Sequence, residues 1–497
     1  MPSFSEFMSV YSLEFLLAAL AMALLVIDLI IGRGRLTGPA DLVRLVGLGG
    51  LAGLLVYSFV WMHPSAAESS LGQLDAFAIY FKRFFLATSL FTMLLTAPYE
   101  ARFTGGRAEF PVLVLLTTLG MCLLASANDF VTLFVGLELV TVTLFMLAAW
   151  RPGLPRSIES GIKFVIIAAV AAAFLVYGIA FVYGTTGHLD FAGVAAAVQA
   201  THEMPAGMKF GLLLVLVGLG FKLGAAPFHV WIPDVYQGAP TPVTAFLSVG
   251  SKAAGVVLLM RFVYAILGPV AAQWVGVLGG LAAITLLMGN LGAISQTDLK
   301  RFLGYSGIAH AGFLLLALAS HNVASASAIL FYMVTYMFAN IAAFLVIIVV
   351  SRTSDDSHMD RVNGLAERSP FLAFALLVSM LSLAGVPPFA GFVGKFLILR
   401  SAMEAAVQHT ELYWLVGVAL VMVVVSLYYY LCVLKRVYFR EPTDTGVLEV
   451  SGSTKAILLV CILASFGLSV FFNGLVEASN TAAGSLIGNV ASMPLGH

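Results

Sequence analysis

Long apolar runs, most of them close to twenty residues, follow one another along almost the whole chain. A helix needs roughly 20 mostly apolar residues to cross the hydrocarbon core of a bilayer. On that measure the pattern predicts spans near residues 13–31, 43–62, 76–97, 110–125, 129–150, 160–183 and 208–227. It continues with 241–266, 271–293, 300–319, 326–350, 370–399, 411–435 and 455–474. The expectation is an all-α polytopic membrane protein of about 14 transmembrane helices. Between spans six and seven, the Ala-rich stretch 188–204 predicts a small helix lying at the outer surface.

Loop charge sets the orientation, because cytoplasmic loops collect Lys and Arg. Counted alternately, the odd loops hold Arg33, Arg35, Arg44, Arg102, Arg107, Arg151, Arg156, Lys300 and Arg301. They also hold Arg352, Arg361, Arg368, Lys435, Arg436, Arg440 and Lys455, whereas the even loops hold Arg400 alone. This bias predicts an even number of spans with both termini outside. A missed or invented span would scramble the alternation, so the bias also supports the span assignment.

Composition agrees with a lipid-facing chain. Of 497 residues, 61% are hydrophobic and 10% charged, against about 25% charged in a typical soluble domain. The 25 basic and 25 acidic residues balance, so nothing favours a nucleic-acid partner. Cys122, Cys432 and Cys461 each stand alone in an apolar run, which excludes a CxxC metal or iron–sulfur site. Glu6 and Glu14 lie where a cleavable signal would carry basic residues. There is no P-loop, and Gly47-Leu-Gly49-Gly50-Leu-Ala-Gly53 lies inside a span, where glycines serve helix packing.

Two segments share a GxxPF pattern: Gly224-Ala-Ala-Pro227-Phe228 in span seven and Gly385-Val-Pro-Pro388-Phe389 in span twelve. Proline inside an apolar helix removes a backbone hydrogen bond and breaks or kinks it. The breaks are five helices apart, an odd number, so the units they mark run in opposite directions. This predicts two inverted five-helix repeats, spans 4–8 and 9–13. The chain then divides into an N-terminal three-helix segment at 1–107, repeats at 108–268 and 269–440, and helix 14 with a tail at 441–497. Paired broken helices are the sequence pointer to the ion path of a transporter.

An ionisable residue in the bilayer costs several kcal/mol and needs a reason. Glu138 lies near the middle of span five, Lys222 five residues before the first break, and Lys252 among small residues in span eight. His310 sits near the centre of span ten with Ser306 one turn away, and Lys395 follows the second break. Tyr332, Tyr336 and Asn340 form one stripe of span eleven. Glu159 and Lys163 are read mainly as a pair at a helix end. For the buried groups the plainer alternatives are structural ion pairs, snorkelling lysines, a hydrogen-bonded core histidine and simple packing. Burial in low dielectric penalises a charged lysine, so such a lysine holds or releases a proton at modest cost. Together the five ionisable groups make a workable proton relay along the membrane plane, driven by an outside energy source.

The run Gly220-Phe-Lys222-Leu-Gly-Ala-Ala-Pro227-Phe-His229-Val-Trp231-Ile-Pro233-Asp234-Val-Tyr236-Gln-Gly-Ala-Pro240-Thr-Pro242 resembles the core signature of the antiporter-like subunits of respiratory complex I. Ser251-Lys252, Asp298-Leu-Lys300-Arg301 and Gly385-Val-Pro-Pro-Phe-Ala-Gly391 with Lys395 fit the same family. The resemblance covers nearly the whole chain, most firmly 125–400. A lysine rather than a glutamate at 395, and a chain that stops soon after span fourteen, select one branch among the sister subunits.

The resemblance implies a proton-translocating subunit of NADH:quinone oxidoreductase in a bacterial inner membrane. It implies that Glu138 pairs with Lys222, that Lys252 is central, and that Lys395 stands near the exit, with His310 and Lys300 as further relay residues. It also implies no cofactor on this chain. NADH, FMN, iron–sulfur clusters and quinone belong to partner subunits. The implied partners are the antiporter-like subunit M, small subunits such as K and J, and membrane lipids. A Mrp-type cation/proton antiporter subunit and a purely structural scaffold are the other readings.

Overall fold

A computed structural model describes all residues except 1–3, 32–38, 65–67, 70–71, 103–107, 201–203, 353–355, 444–445 and 492–497. Arg33, Arg35 and Arg107 of the basic loops, and residues 201–203 of the stretch 188–204, lie outside the described residues. Among the described residues, thirteen helices are long and apolar enough to cross a membrane. The span near 370–399 is the fourteenth, divided into two shorter helices.

The first three helices are α1 (Phe4–Ile31), α2 (Pro39–Val60) and α3 (Ala76–Thr96). Next come α4 (Glu109–Ser126), α5 (Phe130–Ala148) and α6 (Pro155–Thr186). The short helix α7 (Phe191–Ala200) is the small element expected in the loop. The seventh span is α8 (Ala206–Leu223) followed, after the break, by α9 (Trp231–Gly238). The eighth is α10 (Thr241–Ile266), with wide π-type turns at Leu247–Ser251 and Arg261–Ile266. The first of these turns ends directly before Lys252. Such turns are frequent at functional sites.

Spans nine to eleven are α11 (Ala271–Ile294), α12 (Leu299–Ser320) and α13 (Val323–Val350). The twelfth is α14 (Pro370–Ala384) and α15 (Ala390–Ala406). Helices α16 (Leu412–Phe439) and α17 (Gly452–Val470) complete the spans. The C-terminal tail is itself helical: α18 (Phe472–Ala491). Its buried Ser479, Ala482, Ala483 and Leu486 recur at helical spacing, so it is amphipathic rather than spanning. Ser485 Oγ accepts from the Phe77 backbone N–H at 3.1 Å, meeting one of the orphan donors that begin α3.

Helices α10, α12 and α13 form the core and are almost wholly buried. Peripheral helices show apolar faces outward, such as Ile166, Val170, Phe174 and Tyr177 on α6. In water such a face would be a liability, whereas lipid accepts it.

The two halves correspond in detail. Asp129 caps α5 by accepting from Val131 and Thr132 N–H, and Asp298 caps α12 by accepting from Lys300 and Arg301 N–H. Beside the first cap, Phe130 N–H donates to Leu189 O and Phe191 N–H to Asn128 O. Beside the second, Leu299 N–H donates to Ser357 O and Met359 N–H to Thr297 O. At the breaks, Gly224 (φ 79°) and Gly385 (φ 81°) end α8 and α14. Each donates its N–H to the carbonyls three and four residues back. This left-handed helix cap suits glycine, which has no Cβ to strain.

Candidate functional site

The first break carries Lys222 in the last turn of α8, where the helix's carbonyl end favours a cation. Its Nζ donates to Thr141 Oγ1 at 3.2 Å. Thr141 lies three residues after Glu138 on α5, so the lysine reaches the glutamate's neighbourhood without bonding to it. Glu138 Oε1 is buried with no hydrogen-bond partner. The residue lies on a half-open stripe of α5 with Val131, Val135, Val142 and Met146, all exposed.

Lys252 is buried in α10 and donates to Gly307 O of α12 at 2.7 Å. Gly307 leaves room for this approach. A Cβ at 307 would stand 3.2 Å from Tyr336 Oη and 3.4 Å from Lys252 Nζ. The Tyr336 hydroxyl and the Lys252 ammonium thus both border Gly307, and the hydroxyl is buried.

One turn along α12, His310 joins two tyrosines. Its Nδ1 is hydrogen-bonded to Tyr332 Oη, and its Nε2 lies 3.2 Å from Tyr430 Oη. Tyr430 is bonded in turn to Ser306 Oγ. The Tyr336 ring packs edge-on to the imidazole, with centroids 5.0 Å apart. A cavity of ≈ 10 Å³ between His310, Tyr332, Thr335, Ser382 and Gly391 has the room one water needs. It leads from the imidazole to the second break.

At that break Lys395 Nζ donates to Ala384 O, the last carbonyl of α14, at 2.9 Å. It also lies 5.1 Å from the centre of the Phe313 ring, a favourable place for a cation. Between Lys252 and Lys395 stand an imidazole, tyrosine and serine hydroxyls and a water-sized gap.

The chain is similar to known proteins. Residues 127–426 match the family model described as NADH:quinone oxidoreductase/Mrp antiporter, TM. NADH-quinone oxidoreductase subunit N of Desulforamulus reducens is 37% identical over 478 residues, covering 95% of this chain and 99% of the relative. The protein of the same name from Moorella thermoacetica is 38% identical over 461 residues, covering 93% and 95%. The chain belongs to the subunit N family of NADH-quinone oxidoreductase. A chain of Thermus thermophilus respiratory complex I superposes with a TM-score of 0.80 at 34% identity, covering 94% of this chain and 99% of that one. A chain of the Mrp complex from a Dietzia species reaches 0.84 at 22% identity over 97% and 98%, which shows a common fold.

Lys300 stands apart from the other expected site residues of this subunit N relative. It begins α12, ten residues or about 15 Å from His310, and donates to Ala239 O at 3.0 Å. Nearby, Asp234 on α9 accepts from Lys163 at 2.8 Å and Arg301 at 2.5 Å, tying the two halves together. Lys163 also keeps its expected partner Glu159 at 2.8 Å.

Sequence reading missed two buried charge pairs. Lys82 in α3 is fully buried, 2.8 Å from Glu14 of α1, and donates to Val10 O at 3.1 Å. Neither Glu14 oxygen makes a directed hydrogen bond, so this is a contact of charges. Arg261 in α10 makes two bonds to Asp75, at 2.8 and 2.9 Å, and one to Ala125 O. Tyr430 was missed as well. It is the last of three consecutive tyrosines, Tyr428 to Tyr430, and the run alone does not mark which of them reaches His310.

Proposed function

We propose that this chain translocates protons through Glu138, Lys222, Lys252, His310 and Lys395 within a proton-pumping NADH:quinone oxidoreductase. The observation that carries the reading is the His310 junction, an imidazole held by two tyrosines between two buried lysines. Electron transfer from NADH through FMN and iron–sulfur clusters to quinone takes place in other subunits. It alters a charge at one end of the line, and protons then shift along it.

The half-open stripe around Glu138 supports burial against a neighbouring membrane subunit, since a carboxylate facing lipid is costly. The neighbours in this reading are the antiporter-like subunit M and small subunits such as K and J. The arginine- and lysine-rich loops face the cytoplasm, both termini face the periplasm, and the membrane is the bacterial inner membrane. Lys300 acts at the cytoplasmic end of α12, as an approach to the line rather than a station within it.

Alanine at Lys222 or Lys395, with assembly verified, lowers the proton-to-electron stoichiometry and coupled turnover. Unchanged stoichiometry in both variants refutes the reading. The fold shared with the Mrp complex chain supports a second reading, a cation/proton antiporter subunit. Mass spectrometry of the gently solubilised complex separates the two: co-purifying flavin and iron–sulfur subunits support the first, and their absence with sodium-dependent exchange supports the second.

A further inference from the structure

Two open grooves run along the membrane-facing surface, and their charges differ. One, of ≈ 390 Å³, lies between α1, α4 and α5 and has Glu14 in its wall. The other, of ≈ 990 Å³, lies between α14 and α16. Its apolar walls include Leu377 and Leu381 on α14 and Tyr428 and Leu431 on α16, and Lys435, Tyr438 and Phe439 stand at one end. We propose that this second groove binds an anionic phospholipid, with one acyl chain along α16 and the phosphate at Lys435.

The dimensions fit a lipid within one leaflet. From Tyr428 to Phe439 is 11 residues of helix, about 16 Å. Half of a 30 Å hydrocarbon core is about 15 Å. The groove therefore reaches from headgroup level to the bilayer centre. The cationic end lies on the membrane face that carries the basic loops. Arg436 bonds Asp360 at 2.7 Å, and the same loop bonds the start of α12 through Ser357 and Met359.

The charges fit an anion. Arg436 is taken up by Asp360, but among the described residues no ion pair takes up Lys435 or the exposed Arg440 that follows Phe439. A phosphate accepts from the Lys435 ammonium, and Tyr438, three residues on in the same groove wall, brings a hydroxyl as a second donor. The groove beside α1 offers a phosphate no cation: its one charged lining residue is Glu14, already paired with Lys82.

The lipid has a structural consequence for the relay. Its acyl chain lies between α14, whose last carbonyl holds Lys395, and α16, whose Tyr430 holds His310. Tyr428 and Leu431 face the groove, and Tyr430 faces inward. An occupied groove fixes the spacing of the helices that carry these two contacts.

Cys432 lines the groove and is exposed, whereas Cys122 and Cys461 are buried. The test is the rate of Cys432 labelling by N-ethylmaleimide in the intact purified complex, held in nanodiscs of phosphatidylcholine or of phosphatidylglycerol. Phosphatidylglycerol is expected to slow labelling about fivefold, which is ~1 kcal/mol for one lysine–headgroup contact. Lys435→Glu removes the difference and Lys435→Arg keeps it. Equal labelling of the unmodified complex in the two lipids overturns the proposal. So does a Cys432 that stays unlabelled in both lipids and in delipidated detergent, which means another subunit covers the groove. Labelling does not depend on pumping, so the result stands whatever the relay variants show.

Discussion

Replacing His310 by leucine removes the group that joins the Lys252 and Lys395 sides of the line. Tyr332 Oη loses the one hydrogen-bond partner shown for it, while Tyr430 keeps Ser306. Leaving one buried hydroxyl unpaired costs about 1–3 kcal/mol, little enough for a 14-span bundle to assemble. Adding the same 1–3 kcal/mol to the barrier for proton transfer slows it roughly five- to 150-fold. The nearest remaining station, the Gly307 carbonyl with Lys252, is a helix turn away, and a leucine side chain fills the path to the cavity. The assay is proton-to-electron stoichiometry in reconstituted complex, together with NADH:quinone turnover. Both are expected to fall. His310→Gln restores hydrogen-bonding atoms but does not titrate near neutral pH, so it repairs assembly without repairing pumping. Full stoichiometry in His310→Gln would refute the proton-carrying role and leave only a structural one.

Three further outcomes follow from the geometry. Gly224→Ala forces an L residue to φ 79° with its Cβ 2.2 Å from Ile232 Cδ1, costing at least about 1–2 kcal/mol. Gly49→Ala, with nothing within 4 Å, is neutral or stabilising, and equal melting temperatures for the two variants would contradict the cap assignment. Asp75→Ala leaves Arg261 as an unpaired buried charge, a loss of about 3–5 kcal/mol. It is expected to abolish accumulation of the chain in the membrane, and normal accumulation on a quantitative blot would count against a buried ion pair there. Asp234→Asn, at a half-exposed site, costs about 1 kcal/mol or less, with thermal stability barely changed and a drop of many degrees as the contrary result.

Much of this architecture was legible because lipid imposes a simple rule on sequence: apolar for twenty residues, then a turn. The same rule made Glu138, Lys222, Lys252, His310 and Lys395 conspicuous, since each interrupts an apolar run. It failed where charge is ordinary. Asp75 lies just before a predicted span and Arg261 near the end of one, where a charge reaching the interface needs no partner. Glu14 drew notice only as an acid near the N-terminus. Nothing in one dimension says that Lys82 meets it across two helices. Lys300 looked like a member of the line because it shares a helix with His310, and only the rise per residue separates them. The tail became α18 because its apolar positions follow a helical stripe too sparse to read as a span.

The matched caps at Gly224 and Gly385 also have an electrical meaning. Helices α8 and α14 enter the membrane from opposite faces, and both end inside the protein, carbonyl ends inward. Each such end carries roughly half a negative charge. The inverted repeat thus places about one elementary negative charge, made wholly of backbone, in the region where an ion would otherwise find the least favourable solvent. Lys222 and Lys395 sit on those two ends. The fold itself therefore selects for positive charge at the bilayer interior, before any carboxylate is counted, and an anion would meet the same two ends as a barrier.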